Sequence, residues 1–372
     1  MALRFKDKPV HLVVPSAVIS GLEKRMLDFW LFSQKEYKRQ FFLVTTKEIY
    51  SQATASEDFA GIVQYKDKVL FIEHTDSRAK RLKVIRQYFF RHKKEAIMHF
   101  TMWFPVNFSL RRYRTLYTFP GSELSYMSFV TRSVLYLSFL RSTKSDLLDP
   151  IIFNNLRKLF FFKKKSFTLT TNSIVDSEKY TTDFADKKNW IVFSGRLVAL
   201  KQVIPYVKAL PLVHKKLIEK GVPNVKFYIM GYGEQEEELK ALLKDNVYKG
   251  MDIFFGFVPD PRSVLEKSKI IISVQLYNNY PSRSLLEAMA CGNIPVVTDV
   301  GNTDLIAKPE FSEYVPKNFS SQDIADAIVS VLTMPEEKQL EKMRTARQFV
   351  VENCKMKNMA DYFHHLYDEL EN

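Results

Sequence analysis

Short apolar runs recur along the chain, separated by stretches whose apolar positions fall three and four apart. His11-Leu-Val-Val-Pro15 is the first such run; Phe41–Thr45, Val69–His74, Ala96–Met102 and Thr115–Thr118 follow it. Runs this continuous fit strands buried on both faces, as in a parallel sheet. The spacing between them is helical, as in the amphipathic segments Leu22–Trp30 and Arg78–Arg91. A further helix is expected near Ile151–Phe160, leading to a strand at Ser166–Thr170, and the polar run Ser177–Lys188 reads as a linker.

From Asn189 the alternation sharpens. Trp190–Phe193 reads as a strand, and a helix is expected from about Gln202 to Lys220. Lys226–Met230 is a strand ending in Gly231-Tyr232-Gly233, followed by an acidic-rich helix. Ile253–Phe255 is a strand, and so is Lys269–Val274. A loop at Pro281-Ser282 opens the next helix, Cys291-Gly292 closes it, and Ile294–Val297 is a further strand. Strands alternating with helices predict doubly wound parallel sheets. Ligands of such sheets sit beyond the carboxyl ends of the strands, where the polar loops named here fall.

At 372 residues, 46% of them hydrophobic, the chain is long enough for two globular domains. No apolar run reaches the ~18 residues that span a bilayer. Met1–Lys6 has no apolar core, so no signal peptide is expected. Two cysteines, Cys291 and Cys354, argue against a disulfide framework and fit a cytoplasmic location.

Charge is unevenly placed. Residues 1–186 carry 31 of the 55 basic and 18 of the 42 acidic residues, so the whole net charge of +13 lies in the first half. Two basic-aromatic stretches lie there as well, Arg86–Lys94 and Arg157–Lys165. Such mixtures suit an anionic membrane surface, with aromatics in the headgroup layer. They would also suit single-stranded nucleic acid, but no nucleic-acid-binding motif accompanies them. A third reading places the phenylalanines in the core and the lysines in water.

Candidate chemistry lies in the second half. Arg196 and Lys201, five residues apart after a strand, are cations suited to a ligand that gains negative charge, and no Asp-X-Asp metal motif sits in a convincing loop. The helix after Pro281 presents free N–H groups and a positive dipole end to an anion. Glu287 has two readings. Ser284 to Glu287 is a formal capping box; with a helix beginning at Ser282, Glu287 lies instead in the second turn and faces the loop.

The stretch Leu285-Leu286-Glu287-Ala288-Met289-Ala290-Cys291-Gly292 resembles the donor-binding helix of the retaining GT-B glycosyltransferases of the GT4 family. The family pattern has a first glutamate eight positions before the second; here that position is Asn279. Thr171–Asp176 resembles the turn that closes the family's first domain. The resemblance implies an α/β, GT-B fold of two Rossmann-like domains: 1–186 for the acceptor, 187–355 for the nucleotide sugar, and a helix in 356–372 returning to the first. It implies that Arg196 and Lys201 hold the diphosphate and that Glu287 holds the ribose. Gly21, Gly231, Phe257, Val258, Tyr280, Ser282, Ser284 and Leu285 would complete the donor site, with Asn279 and His99 facing the sugar. An amide at Asn279 can hydrogen-bond sugar hydroxyls but cannot serve as nucleophile or base.

The expected partners are a UDP- or GDP-sugar, a glycan or glycolipid acceptor and the inner face of an anionic membrane, with no nucleic acid, metal or further cofactor. Two alternatives stand beside this: a catalytically weak sugar-nucleotide-binding subunit, motivated by Asn279, and a basic nucleic-acid-binding protein.

Overall fold

A computed structural model describes residues 8–371 except 76, 102–103, 105–112, 120, 122–123, 125–126 and 171–174. The chain divides into two compact units, Met1–Ile174 with Met356–Asn372, and Val175–Lys355. Most of the turn Thr171–Asp176 lies outside the described residues.

The first unit holds seven strands: β1 (Val10–Val14), β2 (Phe41–Thr45), β3 (Val69–Phe71), β4 (Ile97–Thr101), β5 (Thr115–Phe119), β6 (Lys144–Leu147) and β7 (Phe167–Leu169). They form one parallel sheet in the order β3-β2-β1-β4-β5-β6-β7. β1 and β4 are buried along their whole length, which is why they read as unbroken apolar runs. The helix Met356–Glu371 packs here: Met359, Phe363, Leu366 and Tyr367 join Val10, Phe29, Trp30 and Phe41 in one core. Arg39 pairs with Asp368 and Glu371 at its end.

The second unit holds six strands: β8 (Lys188–Ser194), β9 (Lys226–Met230), β10 (Asp252–Gly256), β11 (Ser268–Ser273), β12 (Ile294–Thr298) and β13 (Glu313–Val315). Their order, β10-β9-β8-β11-β12-β13, is again fully parallel. The order reverses between β8 and β11, so the loops leaving those two strands diverge to opposite faces and open a crevice between them.

The division falls at residue 175, not at 187 as the polar composition suggested. Val175 and Tyr180 are buried in the second unit's core, and Phe184 packs against it. The Lys187 ammonium donates to the carbonyls of Leu265, Ser268 and Cys291. Two apolar anchors, Tyr180 and Phe184, and one half-buried cation, Lys187, fasten a stretch that composition alone marks as linker.

Candidate functional site: the carboxyl ends of β8 to β11

Four loops meet at the carboxyl end of the second sheet. The turn after β8 and the loop after β9 are laced by the backbone: the Gly195 N–H donates to Met230 O and the Leu197 N–H to Tyr232 O. Glycine is required at this seam. A Cβ on Gly231 would lie 1.9 Å from the Gly195 carbonyl oxygen, and one on Gly233 would lie 2.5 Å from that of Leu197. The Gly231 N–H reaches Gly256 O at the end of β10. On the other side, the Leu276 N–H after β11 donates to Leu200 O. That bond joins the two loops flanking the point where the strand order reverses.

Arg196 is exposed on the turn after β8, and Lys201 stands at its far end, partly enclosed. Burial, and next the charge of Arg196, lower Lys201 to about 8. Neither forms an ion pair among the described residues. Two cations held close without a carboxylate between them attract a dianion. Gln202, with φ of 50°, turns the chain from here into the helix Val203–Glu219.

Beyond β11 the loop 275–282 leads to the helix Arg283–Ala290, whose N-cap Ser282 makes no side-chain cap hydrogen bond. Of the two readings of Glu287, the capping box with Ser284 is not formed. The helix begins early enough to place Glu287 in its second turn, where its Oε1 accepts from Arg283 Nε at 2.7 Å. Tyr280 and Leu285 belong to the core with their side chains, so only their backbone is available to a ligand. Ser282 is buried and Ser284 half-buried.

Asn279 is buried as well. Its Oδ1 accepts from the Ser273 hydroxyl at 2.7 Å, and its Nδ2 reaches Thr303 Oγ1 at 3.1 Å and Thr298 at 3.4 Å. Both ends of the amide join this loop to the ends of β11 and β12. The position that the family pattern gives to a sugar-contacting glutamate is here a structural clasp.

On the β10 side, Phe257 is exposed and Val258 half-buried. The Phe257 ring meets that of Tyr232 edge-on, with centroids 5.7 Å apart. This exposed apolar pair ends β9 and β10, next to the cationic turn. Tyr232 was missed as a candidate, although an aromatic between two glycines after a strand was visible. Arg283 was missed too; only the observed helix start places it one turn before Glu287.

Two expected residues lie in the first unit. Gly21 opens the helix Gly21–Glu36 in open space, while the capping box there is made by Ser20 and Glu23. His99 has the wrong surroundings for a sugar contact. It is fully buried in β4, one ring nitrogen 2.7 Å from the Tyr367 hydroxyl and the other 2.8 Å from Thr118 Oγ1. Burial, helped by Arg25, lowers it to about 3, so it stays neutral and fastens the helix Met356–Glu371 to the sheet.

The two basic-aromatic stretches differ from the simple picture. In Arg86–Lys94, Phe89 is core, Tyr88 bonds His11, and Lys93 lies 4.2 Å over the Phe90 ring. In Arg157–Lys165, Lys163 is buried, donating to the carbonyls of Phe139 and Ser142. It closes the end of the helix Phe129–Arg141 and is not a surface cation. Among the described residues, no helix is long and apolar enough to cross a membrane.

Residues 176–348 match the family model described as glycosyl transferases group 1. The matched residues lie within the second unit. The whole chain, including the first unit, is 23% identical to an uncharacterized glycosyltransferase of Methanocaldococcus jannaschii, over 98% of this chain and 84% of that one. A Bacillus subtilis poly(glycerol-phosphate) alpha-glucosyltransferase is 27% identical over 51% of this chain and 27% of its own length. The crystal structure of Anabaena HepE in complex with UDP-glucose superimposes with a TM-score of 0.70 at 11% identity, covering 97% of this chain and all of that one. The architecture of two Rossmann-like units is that of the GT-B glycosyltransferases.

Proposed function

We propose that this protein is a glycosyltransferase that takes its sugar from a nucleotide diphosphate, UDP or GDP, and transfers it with retention of configuration and without a metal. The observation that carries this reading is the cationic couple Arg196 and Lys201, set without a carboxylate partner among the described residues beside the β8–β11 crevice. The diphosphate would lie against these two cations and the start of the helix Arg283–Ala290. Glu287 would accept the ribose hydroxyls, and the base would rest on the Tyr232–Phe257 pair. As the bond from the sugar C1 to the phosphate oxygen breaks, the bond from C1 to the acceptor oxygen forms on the same face. The acceptor proton passes to the departing phosphate, so no protein carboxylate is needed at Asn279.

The acceptor would be lipid-linked or a surface polysaccharide bound by the first unit, with the protein resting on the inner face of the membrane. The glycerol-phosphate polymer in the Bacillus subtilis relative's name is consistent with an acceptor of this kind. A thermal-shift screen against a panel of nucleotide sugars, followed by donor hydrolysis with the best ligand, tests the reading. Stabilisation by UDP- or GDP-sugars together with slow hydrolysis is expected. Stabilisation without turnover on any acceptor would favour a binding subunit, and no stabilisation would overturn the donor assignment.

A further inference from the structure

We propose that one flank of the first unit is a docking face for an anionic lipid bilayer. The face is built from the outer sides of the helices Phe129–Arg141 and Pro150–Leu159 and the turn that follows. These helices cross over between β5 and β6 and between β6 and β7. Sequential parallel strands with right-handed crossovers place both on the same side of the sheet. They are in contact: the Tyr136 and Phe160 ring centroids are 5.8 Å apart, and buried Lys163 ties the turn to the Phe139 and Ser142 carbonyls.

Apolar side chains project from this flank into solvent. Phe129 is 82% exposed, Phe161 73% and Phe162 68%. Val130, Val134, Ile151 and Leu159 are exposed with them. The exposed charge on residues 127–170 has a single sign. Residues 127–170 contain two carboxylates, Asp146 and Asp149, and both are buried. Asp149 caps the helix Pro150–Leu159, while Asp146 accepts from Thr118, Thr170 and Tyr362. Arg157, Lys158, Lys164 and Lys165 are all exposed.

Exposed phenylalanines on a segment whose exposed charges are all cations match the boundary between headgroups and acyl chains of an anionic membrane. A second copy of this face would bring like charges together, which disfavours self-association through it. The proposal deepens the acceptor reading above and rests on it for its purpose, since a docked first unit would meet a lipid-linked acceptor where it is anchored. Its test is independent of that reading.

Co-flotation of the full chain with vesicles of equal parts phosphatidylglycerol and phosphatidylcholine is the experiment. The chain should float at low salt, be released at high salt, and not float with phosphatidylcholine alone. Lys164→Ser with Lys165→Ser should weaken partition roughly 30-fold. Phe161→Ser with Phe162→Ser should reduce floating at every salt concentration. All four side chains are exposed, so both variants should melt with the wild type. Failure of the wild type to float, equal floating by both variants, or dimerisation through this face would overturn the proposal. Donor hydrolysis measured on the same samples separates the two readings: floating without hydrolysis counts against the enzyme alone, and hydrolysis without floating against the docking face alone.

Discussion

Arg196 holds down the proton affinity of Lys201, five residues further along the turn that leaves β8. Burial is the larger cause and the guanidinium charge the second, and together they bring Lys201 to about 8. The sign follows directly. Lys201 is charged below that pH and loses its charge above it. A bound diphosphate favours the charged form, so it should draw a proton onto Lys201. UDP affinity should therefore fall as pH rises from 8 towards 10, with proton uptake on binding greatest within about one pH unit above 8. Calorimetry in two buffers of different ionisation heat measures the uptake, and Lys201→Met should abolish it.

Removing either cation should act on turnover more than on the fold. Arg196 is exposed and Lys201 forms no ion pair among the described residues, so neither is a structural clasp. Arg196→Ala and Lys201→Ala should each lower the transfer rate roughly 100-fold, the scale of losing one charge-stabilising group at a leaving oxygen. Unchanged melting temperatures with wild-type rates in both variants would remove the diphosphate assignment.

Glu287 can be separated from its own ion pair. Glu287→Gln removes the charge facing Arg283 while retaining an acceptor oxygen of the same shape. Nucleotide affinity should fall about tenfold if the carboxylate also holds the ribose. Reduced stability with unchanged nucleotide affinity would mean that the residue serves only the pair with Arg283.

Restoring the family's glutamate should fail at position 279. The Asn279 amide donates to the Thr298 backbone carbonyl and to Thr303 from a buried site. A carboxylate there would face the Thr298 oxygen, so Asn279→Glu should unfold the loop and raise no activity. Asn279→Ala should cost about 2 kcal/mol, since the Ser273 hydroxyl loses its acceptor and the Thr303 hydroxyl and Thr298 lose a donor. Chemical denaturation of the two variants checks both statements.

Lys163→Ala should destabilise the first unit by about 2 kcal/mol, because two buried carbonyls lose their donor. The same change should leave vesicle binding unaltered. This contrast with Lys164 and Lys165 is measurable in one set of samples.

Much of the second sheet was legible, because its central strands β11 and β12 are buried nearly throughout and the helices between the strands keep their period. The apolar run 226–230 coincides with β9, and Ile253–Phe255 lies within β10. β6 was not recovered. Its Lys144-Ser145-Asp146-Leu147 looks polar, and it is buried because Asp146 and Ser145 find partners on neighbouring elements. Periodicity cannot report a strand whose buried face is hydrogen-bonded instead of apolar. Within the candidate site, Arg196 and Lys201 could be singled out as a pair of cations after a strand, whereas the fate of Asn279 could not. Nothing in a linear sequence says that Ser273, Thr298 and Thr303 converge on one amide.

The helix Met356–Glu371 belongs to the unit that the chain began, so the second unit is threaded into the first. On the ribosome this fixes an order of events. Residues 175–355 can complete their own sheet and core while Phe29, Trp30 and Phe41 still await Phe363 and Tyr367. Throughout that interval the nascent first unit presents an open apolar face to the cell, the kind of surface that chaperones bind and that aggregates seed from.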